Sequence, residues 1–195
     1  ARQETVWRGS SAITYTVELQ NRGQSAEQFD LELGDSAWSV EIMNASFTEE
    51  ITQSLSIGPC LTQALGIRVT VPPDTGWNVT DVVTLTARSQ SDPGVISQAV
   101  FSSKTPAPIL LVDDHRWYDH SERYRSALEA RELPYDLWRN PQTPTADFNS
   151  PSLERLERYP VVVWFTSYDW YNTLTLNQEA TLSAYLDGGG RLLFS

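Results

Sequence analysis

Acidic and histidine side chains that could act as ligands or in catalysis are concentrated in one short segment of the sequence. Asp113 and Asp114 end an apolar run and open a segment that holds both histidines, His115 and His120, together with Asp119. Acid pairs of this kind bind hard divalent cations. The spacing matches no established loop pattern such as the EF-hand. A divalent cation held by Asp113, Asp114 and Asp119, with His115 or His120 as a further ligand, is one hypothesis for this segment.

Large aromatic side chains lie beside these acids, in or next to the loops that follow three apolar runs. Rings cover the apolar faces of sugars while carboxylates accept hydroxyl protons, so a sugar-binding or other small-molecule cleft is a second hypothesis. The simpler and favoured interpretation is packing against a neighbouring domain or the rest of the fold, because aromatic side chains near strand ends more often have that role. The candidate ligand-binding residues are Asp113, Asp114, Trp117, Tyr118, Trp138, Tyr168, Asp169 and Trp170.

The elements that position these residues alternate between strand and helix patterns. Apolar runs predict strands at 109–112, 135–138, 161–165 and 192–194. Helices are predicted at 121–131, after Ser150 as an N-cap, and after the capping box Thr175-x-x-Gln178. Their expected buried faces carry Tyr124, Ala127, Leu128, Leu153, Leu156, Leu182 and Leu186.

The order of these elements predicts a parallel sheet with strand order 2-1-3-4, because βαβ crossovers are right-handed. Ligands bind at the carboxyl ends of the strands in open α/β sheets. The acidic and aromatic segments follow the strands, so we expect them at that edge.

The first half of the chain has a different period. Between residues 1 and 103, apolar and polar residues alternate in about seven short runs separated by turn residues. This pattern predicts a two-sheet antiparallel sandwich. Residues 104–108 contain two prolines and are predicted to be a stiff linker to the domain at 109–195.

Core and turn positions of the first half resemble a known module. Tyr15-x-Val17-x-Leu19-x-Asn21-x-Gly23 and Ile67-x-Val69-x-Val71-Pro72 resemble the immunoglobulin-like modules, of NEW-type and CARDB-like kinds, found in bacterial extracellular proteins. The resemblance implies an all-β immunoglobulin-like sandwich and an extracellular or cell-surface location. It implies no binding site.

The second half resembles the class I glutamine amidotransferase-like fold, a three-layer flavodoxin-like α/β module. The resemblance is carried by Leu111-Val112-Asp113-Asp114, Tyr135-Asp136-x-Trp138 and Tyr159-Pro160-Val161-Val162-Val163-Trp164. Relatives of this kind are attached to large secreted bacterial proteins, including peptidases. Catalytic members place a cysteine after the fourth strand and a histidine later, whereas this sequence has Ser195 there. The resemblance therefore implies a C-terminally incomplete module without working chemistry.

Residues 109–115 also resemble the opening of bacterial response-regulator receiver domains, in which an acidic pair holds Mg²⁺. A receiver needs a phosphate-accepting aspartate directly after its third strand. This sequence has Thr166, Ser167 and Tyr168 there, and Asp169 is the first acid. The signalling hypothesis is therefore disfavoured.

Charge and hydropathy exclude two classes of partner. The net charge is −11 and basic residues form no cluster, so nucleic acid is not expected as a partner. No apolar stretch approaches the roughly 20 residues of a membrane helix, so membrane insertion is not expected.

The favoured interpretation is a non-catalytic accessory, scaffold or binding fragment of a larger secreted or cell-surface bacterial protein. Its expected partners are other domains of the same parent chain and, as a candidate, a glycan. No cofactor is expected apart from the divalent cation considered above. The alternative is part of a hydrolase or carbohydrate-binding site at the carboxyl edge of the parallel sheet.

Overall fold

The computed structural model describes residues 2–5, 12–115, 117–140, 150–168 and 173–195. The chain divides into two compact units, 1–105 and 106–195. The division falls inside the segment that the sequence marks as a linker. No helix in the described parts of the chain is long and apolar enough to cross a bilayer.

The first unit is built from strands that form two sheets. The strands are β1 (Arg2–Thr5), β2 (Ile13–Gln20), β3 (Glu27–Leu33), β4 (Ser39–Asn44), β5 (Ser54–Ile57), β6 (Thr62–Thr70), β7 (Thr80–Ser89) and β8 (Ile96–Lys104). One sheet has the order β1-β8-β7-β3-β5 and the other β2-β6-β4. All pairs are antiparallel except β1 with β8.

Alternating residues of both sheets face a shared core, which is why the period-two pattern appears in the sequence. Leu65, Ile67 and Val69 of β6 are fully buried there against residues of the other sheet, such as Leu85. Tyr15 joins the sheets through its hydroxyl, which donates to the Ser102 carbonyl oxygen at 2.9 Å. The predicted two-sheet antiparallel sandwich, with its seven strands, is confirmed, and β1 is an additional strand.

The second unit is a parallel sheet with helices. Its elements are β9 (Ile109–Asp113), α1 (Ser121–Glu129), β10 (Tyr135–Arg139), α2 (Leu153–Leu156), β11 (Val161–Phe165), α3 (Leu176–Asp187) and β12 (Arg191–Phe194). The strand order is β10-β9-β11-β12 and every neighbouring pair is parallel. The predicted order 2-1-3-4 is confirmed.

The two faces of this sheet pack against different helices. On one face, the Tyr124 ring of α1 stacks on Phe165, with ring centroids 4.2 Å apart. Val162 and Trp164 point to the other face and are fully buried. Trp164 and Gln178 of α3 donate to the same carboxylate, so α3 lies on that face.

Three details of the helices differ from the sequence prediction. Ser152, not Ser150, caps α2, because its side chain accepts from the Arg155 backbone while the Ser150 hydroxyl binds α3 instead. Ala127 is exposed on α1. Leu186 is exposed and Tyr185 takes the inner position of α3, where its hydroxyl donates to the Tyr159 carbonyl oxygen at 3.0 Å.

Candidate functional site

The carboxyl ends of β9, β10 and β11 meet at one edge of the parallel sheet. Asp113 lies opposite Arg139 on one side and Phe165 on the other. Two backbone hydrogen bonds continue the pairing beyond the strands: Asn140 N–H to the Asp113 carbonyl, 2.9 Å, and Asp114 N–H to the Phe165 carbonyl, 3.0 Å. These bonds fix the start of the acidic segment.

Asp114 is the buried centre of a hydrogen-bond network. Its Oδ1 accepts from Asn140 Nδ2 at 2.8 Å, and its Oδ2 accepts from Trp164 Nε1 at 3.0 Å and from Gln178 Nε2 at 2.9 Å. Three N–H donors satisfy this carboxyl group where water has little access. Asp114 therefore joins β10, β11 and α3 and has a structural role.

Gln178 reaches Asp114 because the start of α3 fixes its side chain. Its Oε1 accepts from the Thr175 backbone N–H at 2.8 Å, and the Thr175 hydroxyl accepts from the Gln178 backbone. The amide nitrogen is left to donate to Asp114 and to Ser150 Oγ, each at 2.9 Å. The capping box was predicted and is confirmed. Its link to Asp114 carries no local sequence signal.

Asp113 has a different environment from its neighbour. It is 1% exposed, and its Oδ1 hydrogen-bonds to Nδ1 of the buried His115. Among the described residues, Asp113 Oδ2 has no hydrogen-bond partner. The Arg139 Nε lies 3.7 Å from it, too far for a hydrogen bond, so this contact is a Coulomb interaction with an exposed guanidinium group.

Asp119 completes a cluster with these two residues. The Ser121 backbone N–H donates to Asp119 Oδ1 at 2.8 Å, which ties the loop to the start of α1. Hydrogen bonds from the Ser121 side chain and backbone, and then the charges of His115 and Arg139, hold the pKa of Asp119 below its usual value. Donor atoms of Asp113, His115 and Asp119 lie within 4.8 Å of one another.

The cluster differs from the predicted metal set in one member. Asp114 does not belong to it, because its carboxyl group faces the network with Asn140, Trp164 and Gln178. Of the two histidines predicted as a further ligand, His115 belongs to the cluster and His120 does not.

The predicted aromatic residues fall into two groups. Trp117, Tyr118 and Tyr168 are 71%, 59% and 70% exposed, and the rings of Tyr118 and Tyr168 meet edge to face with centroids 6.2 Å apart. Trp138 is partly buried, and its Nε1 donates to Asn140 Oδ1 at 3.0 Å while the Arg155 guanidinium lies over its ring. Trp138 therefore packs within the unit. Asp169 and Trp170 lie outside the described residues.

An open pocket of about 500 Å³ lies between α1 and the loop after β11. Its lining consists of His120, Arg123, Tyr124, Ala127, Ser167 and Tyr168. Of these residues, Tyr168 was predicted from the sequence as ligand-binding and His120 as a possible cation ligand, whereas the others carry no motif.

Ser167 is the unusual residue of this pocket. Its backbone has a positive φ of 56°, and its buried Oγ has no hydrogen-bond partner among the described residues. A serine nucleophile needs a base within hydrogen-bond reach. The described part of the pocket holds one imidazole, His120, which makes no hydrogen bond to Ser167 Oγ.

A larger cavity, about 580 Å³, lies in the first unit beside the turn between β7 and β8. Glu27 at its rim already accepts hydrogen bonds from the Ser91 side chain and backbone, which hold the pKa of Glu27 below its usual value. The Glu27 carboxylate therefore already has hydrogen-bond donors within the protein. The edge of the parallel sheet is therefore the better candidate site.

No protein-family model matches the chain. No curated protein matches it either.

Solved structures similar to the chain are distant from it. The N-terminal domain of PorA is 10% identical with a TM-score of 0.39, over 53% of this chain and 84% of that one. The class 5 fimbriae chaperone CfaA is 9% identical with a TM-score of 0.34, over 52% of each chain. A family 123 glycoside hydrolase from Clostridium perfringens is 9% identical with a TM-score of 0.42, over 90% of this chain and 35% of that one. At these scores the likenesses carry no argument about function.

Proposed function

We propose that the chain is a non-catalytic binding part of a larger secreted or cell-surface bacterial protein. In this proposal an immunoglobulin-like sandwich supports an amidotransferase-like α/β module, and the module binds a saccharide at the carboxyl edge of its parallel sheet. The observation that carries the proposal is the pair of exposed rings Tyr118 and Tyr168, which meet edge to face, with Tyr168 lining the pocket beside Arg123. Trp117, which precedes Tyr118 in sequence, is a third exposed ring.

The exposure of these rings supports a ligand that is partly apolar. Large aromatic side chains that stand in water lose the free energy they would gain from burial. The apolar faces of a sugar ring cover such surfaces, and the sugar hydroxyl groups hydrogen-bond to polar neighbours. Arg123 supplies a polar group on the pocket wall beside Tyr168.

The polar residues at the edge support recognition rather than hydrolysis. Glycoside hydrolysis needs a pair of carboxyl groups facing the scissile bond. Asp114 is engaged by three N–H donors, and Asp113 by His115. Neither acid is among the residues that line the pocket.

A glycan array followed by calorimetry tests the proposal. We expect the chain to bind one saccharide class, and Tyr168→Ala and Trp117→Ala to weaken that binding at least tenfold without loss of the folded circular-dichroism spectrum. The matched control is Leu133→Ala, an exposed apolar residue before β10 at the opposite end of the strands. No array signal from the wild type would contradict the proposal, and turnover of a bound glycan would favour the hydrolase alternative.

A further inference from the structure

We propose that Asp113, His115 and Asp119 bind a divalent cation of the zinc class. The site combines one imidazole nitrogen with two carboxylates, all supplied by the end of β9 and the loop that precedes α1. It is separate from the saccharide pocket, whose lining includes none of these three residues.

Geometry is the first argument. The donor atoms of the three side chains lie within 4.8 Å of one another. Around a zinc ion with bonds of about 2.0–2.2 Å, ligand atoms are roughly 3–4 Å apart. Asp113 and His115 are buried and held by each other, whereas Asp119 is exposed on the loop. Donor atoms up to 4.8 Å apart must therefore approach one another by about 1 Å when they bind a common ion.

The buried carboxylate is the second and independent argument. Asp113 is 1% exposed, and its Oδ2 has no hydrogen-bond partner among the described residues. A buried polar atom left unpaired costs free energy, roughly 1–3 kcal/mol and more for a charged group. Arg139 at 3.7 Å offsets part of this cost through Coulomb attraction but makes no hydrogen bond. A cation bound at Asp113 would satisfy the remaining oxygen.

The donor set selects the class of cation. Imidazole suits zinc and other transition metals, whereas Mg²⁺ and Ca²⁺ prefer sites made of oxygen ligands. The two carboxylates outnumber the single guanidinium group of Arg139, which favours a cation. Three protein ligands leave the remaining coordination positions to water.

Calorimetry on the EDTA-treated full chain tests the site, with Zn²⁺ and Mg²⁺ as probes. We expect one Zn²⁺ per chain and no Mg²⁺ binding at the same concentrations. Asp119→Asn should weaken Zn²⁺ binding at least tenfold and leave the fold intact, because the Asn oxygen still accepts from the Ser121 N–H. His115→Gln should act in the same way. His120→Gln, the other histidine, is the matched control and should bind like the wild type.

Arg139→Gln separates a metal site from a purely structural ion pair. Removal of the guanidinium charge should tighten Zn²⁺ binding, on the order of fivefold, because it repels a cation at Asp113. A flat Zn²⁺ titration of the wild type would overturn the proposal, as would equal losses in Asp119→Asn and His120→Gln. Weaker binding by Arg139→Gln would also count against it. None of these outcomes depends on the saccharide experiment, since the two sites share no residue.

Discussion

Two adjacent acids of the same type have different roles because of where their side chains point. Asp113 is the last residue of β9 and faces His115, whereas Asp114 turns towards α3 and accepts from Asn140 and Gln178. Successive residues of an extended chain point to opposite sides. The sequence predicted that both acids lie at the sheet edge. The sequence did not indicate that Asp114 is held in a structural hydrogen-bond network while Asp113 keeps an oxygen for a ligand.

Asp114→Asn should therefore destabilise the second unit, by about 2–4 kcal/mol, because an amide NH₂ would face N–H donors in a buried place. Urea unfolding followed by circular dichroism measures the change. Asp187→Asn at the end of α3 is exposed and should change stability by less than about 0.5 kcal/mol. If Asp114→Asn instead kept full stability and lost Zn²⁺ binding, Asp114 would be a ligand and its structural role would be wrong.

At the scale of elements, strands were easier to predict than helix faces. The strand at Val161–Phe165 and the order of the parallel sheet follow from continuous apolar runs and from the handedness of crossovers. The predictions of which residues α1 and α3 bury were partly wrong. In the structure Ala127 of α1 is exposed, and α3 buries Tyr185 instead of Leu186. Tertiary partners decide such choices, and no local pattern records them.

The network around Asp114 could not be predicted for the same reason. Its donors Asn140, Trp164 and Gln178 are 26, 50 and 64 residues away in sequence. The local sequence around each donor predicts a different role for it: Asn140 as a loop residue, Trp164 as a buried strand residue and Gln178 as part of a capping box. Their meeting point depends on the sheet register, which places the ends of three strands together.

The three glycines after α3 give a graded prediction at this scale. A Cβ on Gly190 would lie 2.3 Å from Cζ of the Tyr185 ring, and hydrogen bonds to Tyr159 and Arg191 hold that ring in place. Gly190→Ala should cost about 1–3 kcal/mol. Gly189→Ala meets no atom within 4 Å but has φ +89°, so it should cost about 1–2 kcal/mol.

Gly188→Ala is the matched control. It has an ordinary φ of −73°, and its added Cβ would make contacts no closer than 3.4 Å. It should leave stability unchanged or raise it by up to about 1 kcal/mol, because alanine restricts the unfolded chain. Thermal unfolding of the three variants gives the ranking. Equal stability of Gly188→Ala and Gly190→Ala would contradict the proposed packing of Tyr185.

At the scale of the whole molecule, each unit closes a core of its own. The sandwich core draws on both antiparallel sheets, and its buried members all lie between Tyr15 and Phe101. Helices of the second unit cover part of the parallel sheet: Leu110 and Trp164 are fully enclosed, whereas Leu193 and Phe194 of the edge strand β12 are 57% and 42% exposed. A unit with a hydrophobic core of its own can in principle fold alone.

The end of the first unit provides the last prediction. Thr105 is fully buried and makes three hydrogen bonds. Its hydroxyl accepts from the Val79 N–H at 2.9 Å and donates to the Gly76 carbonyl at 2.8 Å. Its backbone N–H donates to the Val79 carbonyl at 2.8 Å. A fragment of residues 1–105 should therefore unfold cooperatively in urea. A fragment of residues 1–104, which lacks only Thr105, should be less stable by about 2–3 kcal/mol, since each lost hydrogen bond contributes about 1 kcal/mol. Fluorescence of the buried Trp38 follows both transitions. Equal midpoints would show that Thr105 does not anchor the sandwich, and the absence of a cooperative transition in the longer fragment would show that the first unit depends on the second.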